Sequence, residues 1–234
     1  MKANQRWTFG QRPVPTKRLK LIPMSADEMQ ELIGKETDAH MKKAYTEMRE
    51  GTLSHPGQEL WHAAWRMTRK DTGETVGDLC FKGAPDDKTV EIGYGVLDAF
   101  QSQGYATEAV KALCEWAFSR DGVYFVRAIT EDGNAASERV LEKNKFRRVD
   151  GADAGESLWE KEKPASSWMA VYMCLGLSIG LSLGTTVFDN SGTGLALGLS
   201  IGLALGISLD ANDKKKRVRK GDKPDEDDSS EKKN

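Results

Sequence analysis

Gln101, Gly104 and Ala106 (Q-x-x-G-x-A) lie between an apolar run, Glu91–Leu97 (EIGYGVL), and a stretch whose apolar residues recur at helical spacing: Ala106, Ala109, Val110, Leu113 and Ala117. A loop that ends a strand and opens a helix places the first helical amides, which have no partner inside the helix, at the positive end of its dipole. Gly104 has no side chain to keep a ligand away from the main chain. That combination can hold a pyrophosphate on backbone N–H groups alone, without a lysine. The same spacing also serves a plain strand-to-helix turn. The chain has no GxGxxG here, so the dinucleotide fingerprint is absent.

Two more places could move protons. Along Thr89–Leu97 the residues Val90, Ile92, Tyr94 and Val96 share one face, and Glu91, Gly93 and Gly95 share the other. A carboxylate beside two glycines leaves room for a reacting group or a relay water, which makes Glu91 the first candidate for a general base. A solvated edge glutamate would fit the same pattern. Glu156 is a weaker candidate, and Glu108 is expected to face solvent or cap a neighbour. The second place is NAASERVLEKNKF, Asn134 to Phe146, which starts on a good helix N-cap and puts Ser137 in the first helical turn.

Other chemistries find little support. The net charge is −2 and the pI about 6.0, so no basic field points to nucleic acid. Cys80, Cys114 and Cys174 form no CxxC pair, and His40, His55 and His62 are scattered, which reads as reduced thiols and no metal site. The first residues, MKANQRWTFG, lack the apolar core of a secretory signal.

The elements that must position these groups follow from periodicity and turn signals. Lys17–Met24 reads as a strand, and SADEMQELIGKE as a helix capped by Ser25. A second helix is expected from Thr37 to Glu50, ending at Gly51. Leu60–Arg69 and Glu74–Lys82 form a hairpin across KDTG. The strand Thr89–Leu97, a helix from Gly104 to Ser119, a strand at Gly122–Thr130, a helix at Ala135–Lys143 and two short strands, Phe146–Asp150 and Ser157–Lys161, complete the order. Antiparallel strands followed by a β-α-β crossover predict a mixed α/β (α+β) domain.

Q-x-x-G-x-A after EIGYGV resembles the acetyl-coenzyme A motif of the GNAT acetyltransferases, (Arg/Gln)-x-x-Gly-x-(Gly/Ala), and GYATEAV is similar to the branch that acetylates ribosomal-protein N-termini. Asn134 to Phe146 resembles that family's N-x-x-S-x-x-x-L-E-K-x-G-F, so the resemblance covers residues 17–162. It implies the GNAT fold, a mixed sheet with splayed parallel strands and flanking helices. It implies acetyl-coenzyme A as cosubstrate, with backbone amides of Gln101, Ser102, Gln103, Gly104, Tyr105, Ala106 and Thr107 on the pyrophosphate. Val96 and Leu97 would pair with the pantetheine arm, and Asn134 would contact it near the thiol. The family's common tyrosine acid is replaced by Leu141, so Ser137 becomes the candidate acid, as in the ribosomal-protein branch. The implied acceptor is a primary amine, with a protein N-terminus as the leading choice; acceptor selection would fall to residues 37–58, with Trp61 and Trp65 nearby. Lys145 stands where the family has glycine, and Asn144 is expected to take the left-handed conformation instead. A non-catalytic acetyl-coenzyme A-binding scaffold is the alternative reading.

The C-terminal part differs in kind. Residues 164–188 and 191–209 carry no charge, and LGLSIGL occurs at Leu175–Leu181 and again at Leu197–Leu203. Gly176, Gly180 and Gly184 recur every four residues, as do Gly194, Gly198, Gly202 and Gly206, the small-xxx-small spacing of closely packed helices in lipid. This predicts a two-helix glycine-zipper hairpin spanning a membrane through residues 168–209. KKKRVRK after the second segment and Lys161 and Lys163 before the first put both ends on the cytoplasmic side of the cell membrane. A soluble hairpin, or a homo-oligomer joined through the glycine stripe, would share the pattern. The expected organisation is an N-terminal arm (1–16), a catalytic domain (17–163), the hairpin (164–210) and a charged disordered tail (211–234).

Overall fold

The computed structural model describes residues 12–165 and 167–219 and divides into two compact units at Lys163/Pro164. The expected arm and tail therefore lie largely outside the described residues.

The first unit is an eight-stranded mixed sheet in the order β1-β2-β3-β4-β5-β6-β8-β7. In chain order these are β1 (Val14–Pro15), β2 (Leu19–Pro23), β3 (Ala64–Arg69), β4 (Thr75–Phe81), β5 (Thr89–Val96), β6 (Phe125–Glu131), β7 (Arg147–Val149) and β8 (Glu156–Glu162). Helix α1 (Ala26–Lys35) opens on a capping box, in which Ser25 accepts from the Glu28 amide and Glu28 accepts from the Ser25 amide. Helix α2 (Ala39–Ser54) runs through Gly51, the expected stop, and is capped by His55. A short helical turn, α3 (Glu59–His62), replaces the expected start of the third strand. Trp61 and Trp65, expected near an acceptor, instead meet Trp116 at ring centroid distances of 4.9 and 5.0 Å. Trp65 belongs to the main core with Leu19, Leu21, Met67, Val110 and Leu113, and Trp61 and Trp116 pack against it half-buried.

Helix α4 (Tyr105–Phe118) buries Ala109, Val110, Leu113 and Ala117 against this core, as its spacing required, while Ala106 stays only partly buried at the helix start. Helix α5 (Ala135–Lys143) is capped by Asn134, whose Oδ1 accepts from the Ser137 amide at 3.1 Å. The turn after α5 corrects the expectation for Asn144. Lys145 takes the left-handed conformation (φ 64°), while Asn144 stays at φ −88°. The reason is the Asn144 side chain, which is buried and donates to the carbonyls of Thr107 (3.1 Å) and Val140 (2.9 Å). Those bonds tie α5 to the first turn of α4, so strain falls on the exposed lysine.

The second unit is a hairpin of α6 (Trp168–Thr186) and α7 (Ser191–Arg217). Its glycines face each other. A Cβ added to Gly198 would sit 2.0 Å from the Gly176 carbonyl oxygen, and one on Gly180 would sit 2.3 Å from that of Gly194. Any side chain would force the helices apart. The glycine stripe is thus buried within the chain, which corrects its expected use to join copies. Asn190 caps α7 by accepting from the Thr193 amide, and Asp210 caps α6 from across the hairpin by accepting from Trp168 N (2.8 Å) and Met169 N (3.1 Å). The outward faces carry exposed Leu175, Ile179, Leu183, Ile201 and Ile207. Helix α7 runs seven residues past the expected domain end, because Lys214–Arg217 suit a helix C-terminus and Arg217 pairs with Asp213 one turn back at 2.7 Å.

Candidate active site

The sheet opens where its parallel pairing ends. Strands β5 and β6 pair at Thr89–Phe125, Val90–Val126 and Glu91–Arg127, and the pairing stops there, although β5 continues to Val96 and β6 to Glu131. From Ile92 on, β5 holds only β4, through Gly77–Val96 to Phe81–Ile92. The far edge of β5 therefore has no strand partner beside a cleft of about 500 Å³, and at its end the Val96 carbonyl accepts from Gln101 Nε2 at 3.4 Å.

The cleft gathers most of the sequence-selected residues. Val96, Gln101, Ser102, Gly104, Tyr105, Ala106, Thr107, Asn134 and Ser137 line it. Leu97 and Gln103 do not: the Leu97 amide donates to Val76 on the β4 side, and the Gln103 carbonyl accepts from Arg18 Nη1 at 3.0 Å. Gln101 braces the loop, its Nε2 donating to Asp98 Oδ1 at 2.8 Å across a 3-10 turn (Asp98–Phe100). The loop bends through two left-handed residues, Ser102 (φ 59°) and Gly104 (φ 79°), the second being the N-cap of α4. With its missing Cβ this glycine brings the first α4 amides to the cleft surface, the geometry an anion requires.

The α4 start is held from outside by residues that the motif does not include. Glu108 is tied to Thr16 and Arg18: it accepts from Thr16 Oγ1 (2.6 Å), the Arg18 amide (2.6 Å) and Arg18 Nε (2.7 Å). Burial would lift its carboxyl, but these bonds outweigh it and hold the group below its usual range. The Arg18 guanidinium also lies over the Tyr105 ring at 4.5 Å.

At the other end of the cleft, Ser137 meets Tyr94. The tyrosine hydroxyl is 2.7 Å from Ser137 Oγ and 3.2 Å from the Ser137 carbonyl oxygen. Burial pushes the Tyr94 hydroxyl up from its ordinary value, partly offset by the serine contact, so it stays protonated and can donate. Tyr94 was legible only as a core-facing strand residue, since its partner is 43 residues away. Arg139 and Lys143, one turn apart on α5, also line the cleft and supply positive charge facing the loop. Their i,i+4 spacing was the available signal.

Glu91 is not in the cleft. It lies on the opposite face of the sheet from Tyr94 and forms an ion pair with Lys82. Glu156 sits across from Glu131 on β8. The structure therefore brings Asn134 and Ser137 to the cofactor loop but does not bring Glu91 beside Ser137. Among the described residues no group of three or more His, Cys, Asp or Glu side chains is placed to hold a metal.

Comparison with known proteins agrees with this geometry. Residues 17–147 match the model of the acetyltransferase (GNAT) domain. An uncharacterized N-acetyltransferase of Bacillus subtilis (strain 168), YjdG, is 37% identical over 84 residues, which are 36% of this chain and 50% of that protein. The chain thus spans about half the length of this curated relative. Among solved structures, an acetyltransferase of Salmonella typhimurium that modifies an N-terminal serine of a 50S ribosomal subunit protein superposes with a TM-score of 0.51 at 17% identity, covering 65% of this chain and 100% of that one. The ribosomal-protein α-N-acetyltransferase RimL in complex with coenzyme A gives a TM-score of 0.51 at 18% identity, covering 66% and 100%. At these identities the structural likeness speaks for the fold alone. The family model, spanning more than half of the chain, and the splayed sheet with its loop–helix cleft place this protein in the GNAT acetyltransferase family.

Proposed function

We propose that the protein transfers the acetyl group of acetyl-coenzyme A to a primary amine, with a protein N-terminus as acceptor. The observation that carries this reading is the cleft itself. It runs from unpaired amides at the start of α4, past the free edge of β5, to the hydroxyl pair of Ser137 and Tyr94. The residues present fit the cosubstrate. The loop Gln101–Thr107 offers main-chain N–H groups to the pyrophosphate, and Arg139 and Lys143 add charge for the phosphates. The edge of β5 at Val96 has main-chain groups able to pair with the pantetheine amides in a β-like manner.

In this reading the acceptor nitrogen attacks the thioester carbonyl carbon, the carbon–sulfur bond breaks, and the departing thiolate takes a proton. Ser137 donates that proton and Tyr94 replenishes it through their 2.7 Å contact. Asn134 contacts the pantetheine arm near the thiol while capping α5. The amine proton passes to solvent at the mouth of the cleft, because Glu91 lies outside it, paired with Lys82 on the other face of the sheet. The ribosomal-protein enzymes among the structural neighbours support an N-terminal acceptor.

The hairpin fits a membrane anchor. Both helices are long and apolar enough to cross a membrane, with mean hydropathies of 1.5 and 1.7 over their most apolar windows. Their glycines face inward and their leucines and isoleucines outward, the arrangement a lipid solvent favours. In this reading both ends of the hairpin, and with them the acetyltransferase, lie on the cytoplasmic face of the cell membrane, which the flanking lysines favour.

The test of the enzymatic reading is a panel of serine-, alanine- and methionine-initiated peptides and small polyamines incubated with acetyl-coenzyme A, with products identified by mass spectrometry. Acetylation at peptide α-amines supports the reading. Acetylation of polyamines alone would overturn the N-terminal acceptor.

A further inference from the structure

On the face of the sheet away from Tyr94 and Ser137, β4 and β5 set three positions side by side. Lys82 and Glu91 pair at one end, Cys80 stands opposite Gly93, and Asp78 stands opposite Gly95 at the other end. Opposed residues point to the same face, so Gly93 and Gly95 form a bare column between two carboxylates. A Cβ on Gly93 would lie 3.3 Å from Cys80 Sγ, whereas one on Gly95 would meet nothing within 4 Å. Gly95 is exposed, and it also lines the cleft. Gly95 therefore leaves open space next to the partly buried Asp78, at the point where this face meets the cleft that Gly95 lines.

The carboxylate is held there by a buried partner. Tyr45, on α2 and 5% exposed, donates its hydroxyl to Asp78 Oδ2. Arg66 stands opposite Asp78 on β3, but its guanidinium contacts Glu28 of α1 at 3.4 Å. Glu91 has Lys82, whereas among the described residues no lysine or arginine pairs with Asp78. Burial, with Glu36 adding to it, pushes the Asp78 carboxyl up, and the Tyr45 hydrogen bond holds it back in part. A carboxylate desolvated this far and lacking a cation gains strongly when one arrives.

We propose that Asp78, oriented by Tyr45, is the anchor for the ammonium group of the acceptor, which approaches over the Gly93–Gly95 column and reaches the thioester beside Gly95. The proposal rests on the acetyltransferase reading above and adds the residue that selects a cationic acceptor. No bond forms or breaks at Asp78; it positions the amine before the amine loses its proton elsewhere.

The test uses the full chain saturated with acetyl-coenzyme A and two acceptors, a serine-initiated peptide, cationic at its N-terminus, and hydroxylamine, uncharged at neutral pH. Asp78→Asn should raise the peptide KM by about 10- to 100-fold, the range of a hydrogen bond to a charged group. Its kcat should change little, and the loss with hydroxylamine should be far smaller than with peptide. Tyr45→Phe, which removes one hydroxyl and keeps the carboxylate, should shift the peptide KM in the same direction by less. An unchanged peptide KM in both folded variants would overturn the anchor, as would equal losses on both acceptors. Absence of turnover by the unmodified enzyme with either acceptor would instead bring down the acetyltransferase reading, and the anchor with it.

Discussion

Gly104 offers the sharpest perturbation of the cofactor site. Its φ of 79° is left-handed, and a Cβ there would meet only Arg18 Nη2, at 3.5 Å. Gly104→Ala therefore has space but carries a conformational cost of about 1–2 kcal/mol on stability. For a domain of this size that corresponds to a fall of roughly 2–8 °C in Tm. Gly104→Glu carries the same strain and adds a negative charge beside the site proposed for the pyrophosphate. At about 5 Å, one pair of like charges repels by roughly 1–3 kcal/mol for an effective dielectric between 80 and 20. Two phosphate charges and the lost approach of backbone to phosphate raise this; neutralisation by the nearby Arg18 lowers it. A net weakening of about 2–4 kcal/mol means an affinity for coenzyme A lower by about 30- to 700-fold. Calorimetric titration of coenzyme A into the parent, Gly104→Ala and Gly104→Glu proteins resolves this, with circular dichroism to confirm folding. Alanine should lose less than about tenfold, the effect of strain borne mainly by the free protein. If folded Gly104→Glu binds as the parent does, the pyrophosphate is not at the start of α4 and the site is misplaced.

Ser137→Ala should lower turnover by about 10²-fold while coenzyme A affinity stays near the parent value, and the double variant with Tyr94→Phe should lose less than the sum of the single effects, because the two hydroxyls act through one contact. Steady-state rates in a double-mutant cycle check this; strict additivity would refute the coupling. Glu108→Gln leaves the Thr16 and Arg18 donors without a carboxylate and should cost about 1–3 kcal/mol at neutral pH. The folded pKa of Glu108 lies below its ordinary 4.5, so its contribution is present above that value and is lost as pH falls through the folded pKa. The Tm gap between parent and variant should therefore narrow on acidification, and a gap that widens would contradict the assignment. His62 behaves likewise for a different reason: burial, and then His55, lower its folded pKa below 6.5, so the unfolded chain takes the proton first and stability should fall as pH drops through 6.5 and below. Replacing His62 by phenylalanine should flatten that part of the Tm–pH curve. In the hairpin, Gly198→Leu places side chain where a carbonyl oxygen now lies at 2.0 Å and should lower Tm in detergent micelles sharply, whereas Leu199→Ala on the outward face should not.

Much of the site was written locally. The Q-x-x-G-x-A loop, its side-chain-free Gly104 and the Asn134 cap depend on residues a few positions apart, and these were readable. What escaped depends on contacts between distant segments. Asn144 was expected to adopt the left-handed turn, but its amide is engaged by Thr107 of another helix, and no local signal reports that bond. Leu60–His62 is apolar and aromatic enough for a strand, yet packing of Trp61 against Phe81 and Trp116 draws it into a helical turn. Gly51 did not end α2, because a single glycine weakens a helix without stopping one that packing supports. The glycine repeat gave the hairpin, but its inward orientation follows from two stripes meeting in antiparallel register, a pairing that spacing alone leaves open between one chain and two. Glu91 illustrates the remaining gap: the strand alternation gave its face correctly, while the Lys82 partner on the neighbouring strand is a matter of register.

The measurement that bears most directly on this account is the release of free thiol from acetyl-coenzyme A by the purified full chain, followed with a thiol reagent in the presence and absence of a serine-initiated peptide. The account predicts a rate that saturates with peptide, falls to background without it, and drops about 10²-fold in Ser137→Ala. Tight binding of acetyl-coenzyme A with no amine-dependent thiol release for any acceptor would contradict it, leaving a domain that holds the thioester without transferring its acetyl group.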